Sequence, residues 1–143
     1  MKNKKFIGSW ELLKWTAELN DGTEVFPFGE DALGRITYET NGSMSVQLMK
    51  NSRPKFLSED PLQAKPHEVV VAFKDFLSYC GSYEVYKNPD QVVHQIEISS
   101  FPNWTGQNQI RKFEFADDNL ILSTDTIGSS RHRLVWQKMK KII

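Results

Sequence analysis

Two side chains in this sequence could do chemistry inside a β-structure, His94 and Arg111. His94 lies in Val92-Val93-His94-Gln95-Ile96-Glu97-Ile98, where alternation puts it on one face with Val92, Ile96 and Ile98. An imidazole titrates near neutrality and burial tunes it, so an inward His94 is suited to proton transfer, or to a bond with a tyrosine or backbone carbonyl. Arg111 shares a face with Phe113 and Phe115, which carry it inward. Its planar fork could clamp a carboxylate or an enolate oxygen, pair with an internal acid or stack on a tryptophan. An unpaired buried charge costs several kcal/mol, so Arg111 needs water, a carboxylate or a ligand. Tyr38 rides with Ile36 and Tyr83 with Val85, adding two phenols to the same interior. Asn103-Trp104 follows the strand of His94 and could close one end of the structure, the indole packing and the amide orienting a guest, or simply plug it.

Other constellations are weaker. His132 falls on the face of Leu134 and Trp136, with Arg133 on the face of Val135. A metal shared by His94 and His132 would lack a placed third ligand, so no metal and no cofactor is expected. There is no Gly-rich phosphate loop and no Gly-x-Ser-x-Gly elbow.

The elements that position these residues are mostly strands. Alternating runs cover 8–19, 23–26, 34–40, 43–50, 82–87, 91–100, 109–116, 119–125 and 131–139. Turn residues separate them: Asn20-Asp21-Gly22, Asn41-Gly42, Asn88-Pro89-Asp90, Asp117-Asp118 and Gly128-Ser129-Ser130. Long sequential strands with hairpin joins predict an all-β, antiparallel up-and-down barrel of about eight to ten strands. In 43–50 the facing is open, because Met44, Val46 and Leu48 compete with Ser45, Gln47 and Met49. The segment 66–80 breaks the pattern. Val69, Ala72, Phe73, Phe76, Leu77 and Cys80 recur at three and four, between Pro66 and Gly81, and predict one mid-chain helix of about fourteen residues. The preceding 51–65 has no clean period and is read as a surface loop or a lid.

Composition bounds the rest. The 143 residues fit one domain spanning 1–143, with 18 basic and 18 acidic side chains giving no net charge. Such a balance gives no field that would draw in nucleic acid or an anionic membrane, so neither is expected as a partner. Six basic residues, Lys2, Lys4, Lys5, Lys138, Lys140 and Lys141, cluster near the chain ends and are expected to be solvated. Cys80 is the single cysteine, which leans towards a reducing compartment. The basic start is followed by no apolar h-region, and no run approaches the ~20 residues of a membrane span. A cytoplasmic protein is the expectation.

At this point a resemblance becomes visible. Gly8-Ser9-Trp10 resembles the Gly-x-Trp signature of lipocalins. Phe26-Pro27-Phe28-Gly29, Met44-Ser45-Val46-Gln47-Leu48-Met49 and Phe101-Pro102-Asn103-Trp104-Thr105-Gly106 are more specific, and resemble the bacterial and fungal lipocalin-like domain family. The residues 34–38, 111–115 and 134–136 extend the match over nearly the whole chain. The resemblance implies a closed calycin-type barrel with a central cavity for a small, largely apolar molecule. It brings no settled activity, although some fungal members are associated with secondary metabolism. The mid-chain helix and Thr124-Asp125-Thr126 depart from true lipocalins, which puts a secreted transport role in doubt. Lipocalins stack an arginine on the first-strand tryptophan, and either Arg131 or Arg133 could serve Trp10.

Three functions follow. The first is binding of a small hydrophobic or amphipathic ligand, with Tyr38, Gln47, Met49, Tyr83, His94, Asn103, Trp104 and Arg111 lining the site. The second is an isomerase, cyclase or hydratase, with His94 as acid/base and Arg111 or Tyr83 stabilising an oxyanion. The third is a plugged structural barrel that could form a homodimer through its helix.

Overall fold

The computed structural model describes residues 4–140, so Lys2 and Lys141 lie outside the described residues. Nine strands form one antiparallel sheet: β1 Gly8–Leu19, β2 Glu24–Val25, β3 Leu33–Tyr38, β4 Ser43–Met49, β5 Phe76–Tyr86, β6 Gln91–Ser99, β7 Asn108–Ala116, β8 Asn119–Ser123 and β9 Ser130–Lys138. From β3 to β9 each strand pairs with the next, and β1 pairs with both β3 and β9. Eight strands therefore close into a barrel, and β2 is an extra ribbon on the far half of β1. This is the expected up-and-down barrel. Closure satisfies the backbone groups that an open edge would leave bare.

Local chemistry sets the register. At the β3–β4 turn Gly42 takes φ 92°, and Asn41 Oδ1 accepts from Ser43 N–H at 2.9 Å. That register sends Met44, Val46 and Leu48 into the core and leaves Gln47 exposed on the outer wall. The open facing is thus decided, and Gln47 and Met49 border an outer groove with Arg35 and Phe76 instead of the interior.

The helix α1, Pro66–Lys74, is shorter than its three-four spacing predicts. Residues 76–80 fit a helical stripe, but Leu77, Tyr79, Tyr83 and Val85 also alternate. Pairing with β4 on one side and β6 on the other makes them strand. None of the residues of α1 is buried, so it does not seal the barrel. Glu68 ties α1 to the 51–65 loop by accepting from Lys65 N–H and Leu57 N–H, each at 2.9 Å. That loop packs along α1 and contributes nothing to the interior cavity.

One β-bulge re-aims a side chain. Between Cys80 and Gly81 the β5–β6 register slips, so that Cys80 faces Ile98 and Gly81 faces Ile96. Val92, His94 and Ile96 point inward as alternation predicts, but Ile98 turns out and is 69% exposed. Gly81 permits the slip, because a Cβ there would lie 1.9 Å from the Gln95 carbonyl oxygen.

One barrel end is sealed by aromatic rings. Phe6, in the turn before β1, is fully buried and meets Tyr38, Phe113 and Phe115 edge-on at 5.2, 4.9 and 5.1 Å. Trp10 donates its indole N–H to Phe6 O at 2.9 Å. The cation over Trp10 is Lys138, 4.6 Å from the ring centroid, and not Arg131 or Arg133. The β1–β9 register sets this pairing. Trp10 lies opposite Lys138, while Arg131 and Arg133 lie opposite Glu18 and Thr16 towards the other end of β1. Lys138 also donates to Ile7 O, so it is not the free solvated terminus that its position implied. The rings plug only half of the barrel.

Candidate functional site

The other half is hollow. A cavity of about 170 Å³ is walled by Ile36, Val46, Leu48, Leu77, Leu122 and Leu134, with Trp15, Trp104 and Trp136 as larger panels. Its polar lining comes from Tyr79, His94, Arg111, Thr124 and His132. A dry apolar cavity of roughly 150 Å³ accepts one benzene. The space here therefore suits a single substituted ring better than a long acyl chain.

His94 sits at the wall between cavity and plug. It is 1% exposed, with Tyr38 Oη 2.6 Å from Nε2 and Tyr79 Oη 2.7 Å from Nδ1. Burial, reinforced by the Arg111 charge, pushes its pKa from 6.5 down to about 3. The ring is neutral at pH 7, so one nitrogen donates and the other accepts. With both nitrogens engaged and basicity this low, His94 is poorly suited to act as a general base on a guest. Burial raises the pKa of both Tyr38 and Tyr79, so both phenols stay protonated.

A second imidazole has a fixed tautomer. Trp15 N–H donates to His132 Nδ1 at 3.0 Å, so the ring proton is on Nε2, 3.2 Å from Ser130 Oγ. Burial and the Arg111 charge lower the pKa of His132 as well. Each nitrogen of both histidines already has a partner, which disfavours a metal shared between them.

Arg111 is 8% exposed; its Nη1 donates to Ile110 O at 3.1 Å and to Gln109 Oε1 at 3.4 Å, and the guanidinium also interacts with the Tyr79 hydroxyl. Its guanidinium carbon lies 5.8 Å from the Trp104 ring centroid. No carboxylate among the described residues pairs with it; the ion pairs are Lys112 with Asp125 and Arg131 with Glu18, both on the surface. One donor in the wall lacks a partner. The indole N–H of Trp136, a residue 1% exposed in the cavity wall, meets no acceptor among the described residues. The cavity thus combines apolar walls, one uncompensated cation and one orphaned donor.

Of the residues singled out from sequence, His94, Arg111 and Trp104 line this cavity. Tyr38 touches it only through His94, and Tyr83 turns its hydroxyl to Glu39 O at 3.0 Å, away from any guest. Tyr83 is therefore not placed to stabilise an oxyanion there. Asn103 is exposed in the Pro102–Trp104 turn, while its neighbour Trp104 packs edge-on against Tyr79 at 5.8 Å. Gln47 and Met49 are outside. Sequence reasoning missed Tyr79, Trp15, Thr124 and Trp136. Tyr79 was legible from the alternation of 77, 79, 83 and 85 but was hidden by the helical spacing, and a bulge at Leu13 breaks the alternation that leads from Trp10 and Leu12 to Trp15.

These features define a closed up-and-down β-barrel with room for one small guest. A model of the lipocalin-like domain matches residues 7–139, and the chain belongs to the lipocalin-like domain family. The 4'-hydroxy-3'-methoxypropiophenone carrier protein of Aspergillus oryzae is 32% identical over 113 residues, covering 69% of this chain and 99% of that protein. Among solved structures, a de novo designed fluorescence-activating β-barrel is 14% identical with a TM-score of 0.48, over 95% of each chain. A mutant of the fluorescent protein UnaG is 15% identical with a TM-score of 0.44, over 96% of this chain and 99% of that one. No described helix is long and apolar enough to cross a membrane.

Proposed function

We propose that this barrel binds and carries one small aromatic molecule bearing oxygen substituents, of the size of an aryl ketone. The observation that carries the reading is the cavity of about 170 Å³, apolar on most sides but holding an arginine without a carboxylate. Apolar walls and indole panels would supply the area, and a few polar groups the orientation. The relative in Aspergillus oryzae is a carrier named for 4'-hydroxy-3'-methoxypropiophenone, a ring of this size with oxygen at three positions. Similarity over 99% of that protein's length supports a ligand of the same class. The lone cysteine supports a reducing, cytoplasmic setting.

The test is a titration of the purified protein with 4'-hydroxy-3'-methoxypropiophenone and with palmitate, followed by tryptophan fluorescence. Three of the four tryptophans line the cavity, so saturable quenching with one ligand per chain is expected for the aryl ketone. Quenching by palmitate alone, or by neither compound, would overturn the reading.

A further inference from the structure

We infer that the cavity selects its guest as an anion, and that the class of ligand is an acidic phenol or enol bound in its ionised form through Arg111. The inference rests on the binding reading above and adds the charge state to it.

The groups around Arg111 are neutral polar groups and apolar walls. From β5 comes Tyr79, from β6 His94, from β7 itself Gln109, from the turn after β8 Thr124 and from β9 His132 and Trp136, with Trp104 against the guanidinium. Tyr38 of β3 feels the same charge through His94. Both tyrosines hold their protons and both histidines are kept neutral by burial beside Arg111, so none of them offsets it at pH 7. No Asp or Glu among the described residues lines the cavity. The guanidinium is permanently charged, and its partners, Ile110 O and Gln109 Oε1 at Nη1 and the Tyr79 hydroxyl beside it, are all neutral.

Donors outnumber acceptors as well. Trp136 N–H has no protein acceptor among the described residues. In the Tyr38–His94–Tyr79 chain three O–H or N–H protons serve two hydrogen bonds. One of the two phenol protons is therefore left without a place in that chain. An oxygen that only accepts is what such a lining lacks. A phenolate or enolate provides one, and it spreads its charge over the ring, which lowers the cost of leaving water compared with a localised charge.

The sign of one shift separates this from simple apolar binding. Burial alone raises the pKa of a phenol, whereas a cation within about 4–6 Å lowers it by about 1–3 units. The probe is 4-nitrophenol, whose ionised form is read by its own visible absorbance, with 4-nitroanisole as the neutral ring of the same shape. In the wild-type protein the bound phenol should ionise about one unit or more below its free value. Its affinity should then rise about tenfold for each unit by which its pKa falls on binding, while that of 4-nitroanisole stays flat with pH. Arg111→Met should reverse the shift to an upward one, and Arg111→Lys should keep part of the downward shift. A bound 4-nitrophenol that stays neutral in the wild type, while 4-nitroanisole binds, would overturn this inference and leave the binding reading standing. Binding of neither probe would overturn both.

Discussion

Acidification is expected to destabilise this barrel through one side chain. His94 is buried and neutral, with a pKa of about 3 against 6.5 for a solvated imidazole. A histidine whose folded pKa is depressed contributes stability that is present above its unfolded pKa and is lost as pH falls towards the folded one. Between pH 7 and pH 4.5 the unfolded chain takes up a proton at this position and the folded chain does not, which removes about 2–3 kcal/mol. His132, also lowered, adds to the fall in the same direction. The carboxylates with shifted values, Asp21, Glu68 and Asp125, are all lowered and exposed, so their contribution belongs to more acid conditions. Urea unfolding at pH 7, 5.5 and 4.5 reads the slope directly. His94→Gln keeps a neutral donor and acceptor between Tyr38 and Tyr79 but cannot titrate, and it should lose about 2 kcal/mol less than the wild type over that range. Parallel slopes for the two proteins would refute the placement of a neutral, desolvated imidazole between the two phenols.

Two further outcomes follow from the geometry. Gly81→Ala puts a methyl group 1.9 Å from the Gln95 carbonyl oxygen, which is backbone and cannot swing aside, so the β5–β6 pairing must open. A loss of about 2–4 kcal/mol in urea unfolding is expected, with weaker ligand binding because Tyr79 and His94 flank the bulge. Trp15→Phe removes the donor that holds the His132 Nδ1 lone pair, at a cost of about 1–2 kcal/mol. NMR titration should then show the His132 pKa moving up towards its ordinary value.

The barrel was legible in the sequence because its two strongest signals are local. Alternation and turn residues such as Asn41-Gly42 and Asp117-Asp118 each act within a few positions, and eight of the nine strands were expected to within two residues of where they occur, β5 only from residue 82 onwards. What stayed hidden depends on partners distant in the chain. The stretch 76–80 satisfies a helical spacing on its own and becomes strand only because β4 and β6 flank it. Ile98 shares the inward face of His94 by simple alternation, yet the slip opposite Gly81 turns it out to solvent. Gln47 and Met49 were weighed against Met44, Val46 and Leu48 on nearly equal terms, and the pairing with β3 and β5 resolved the tie. The cation over Trp10 depended on the β1–β9 register, which no local pattern encodes. For the cavity, His94 and Arg111 were visible because charged or titratable residues stand out in an apolar face. Tyr79 and Trp136 were not, since an aromatic residue in a strand is ordinarily packing.

The central claim is that the guest occupies the half of the barrel away from Phe6, against Arg111 and Trp136. The four indole N–H groups report on it separately, because Trp15, Trp104 and Trp136 line the cavity while Trp10 is tied to Phe6 O in the plug. In a ¹⁵N-labelled protein titrated with 4'-hydroxy-3'-methoxypropiophenone, the compound named for the Aspergillus oryzae relative, the Trp136 indole signal should move most and towards a hydrogen-bonded position. Trp15 and Trp104 should follow, and Trp10 should stay in place. A saturating titration that moves Trp10 and leaves Trp136 unchanged would contradict the account.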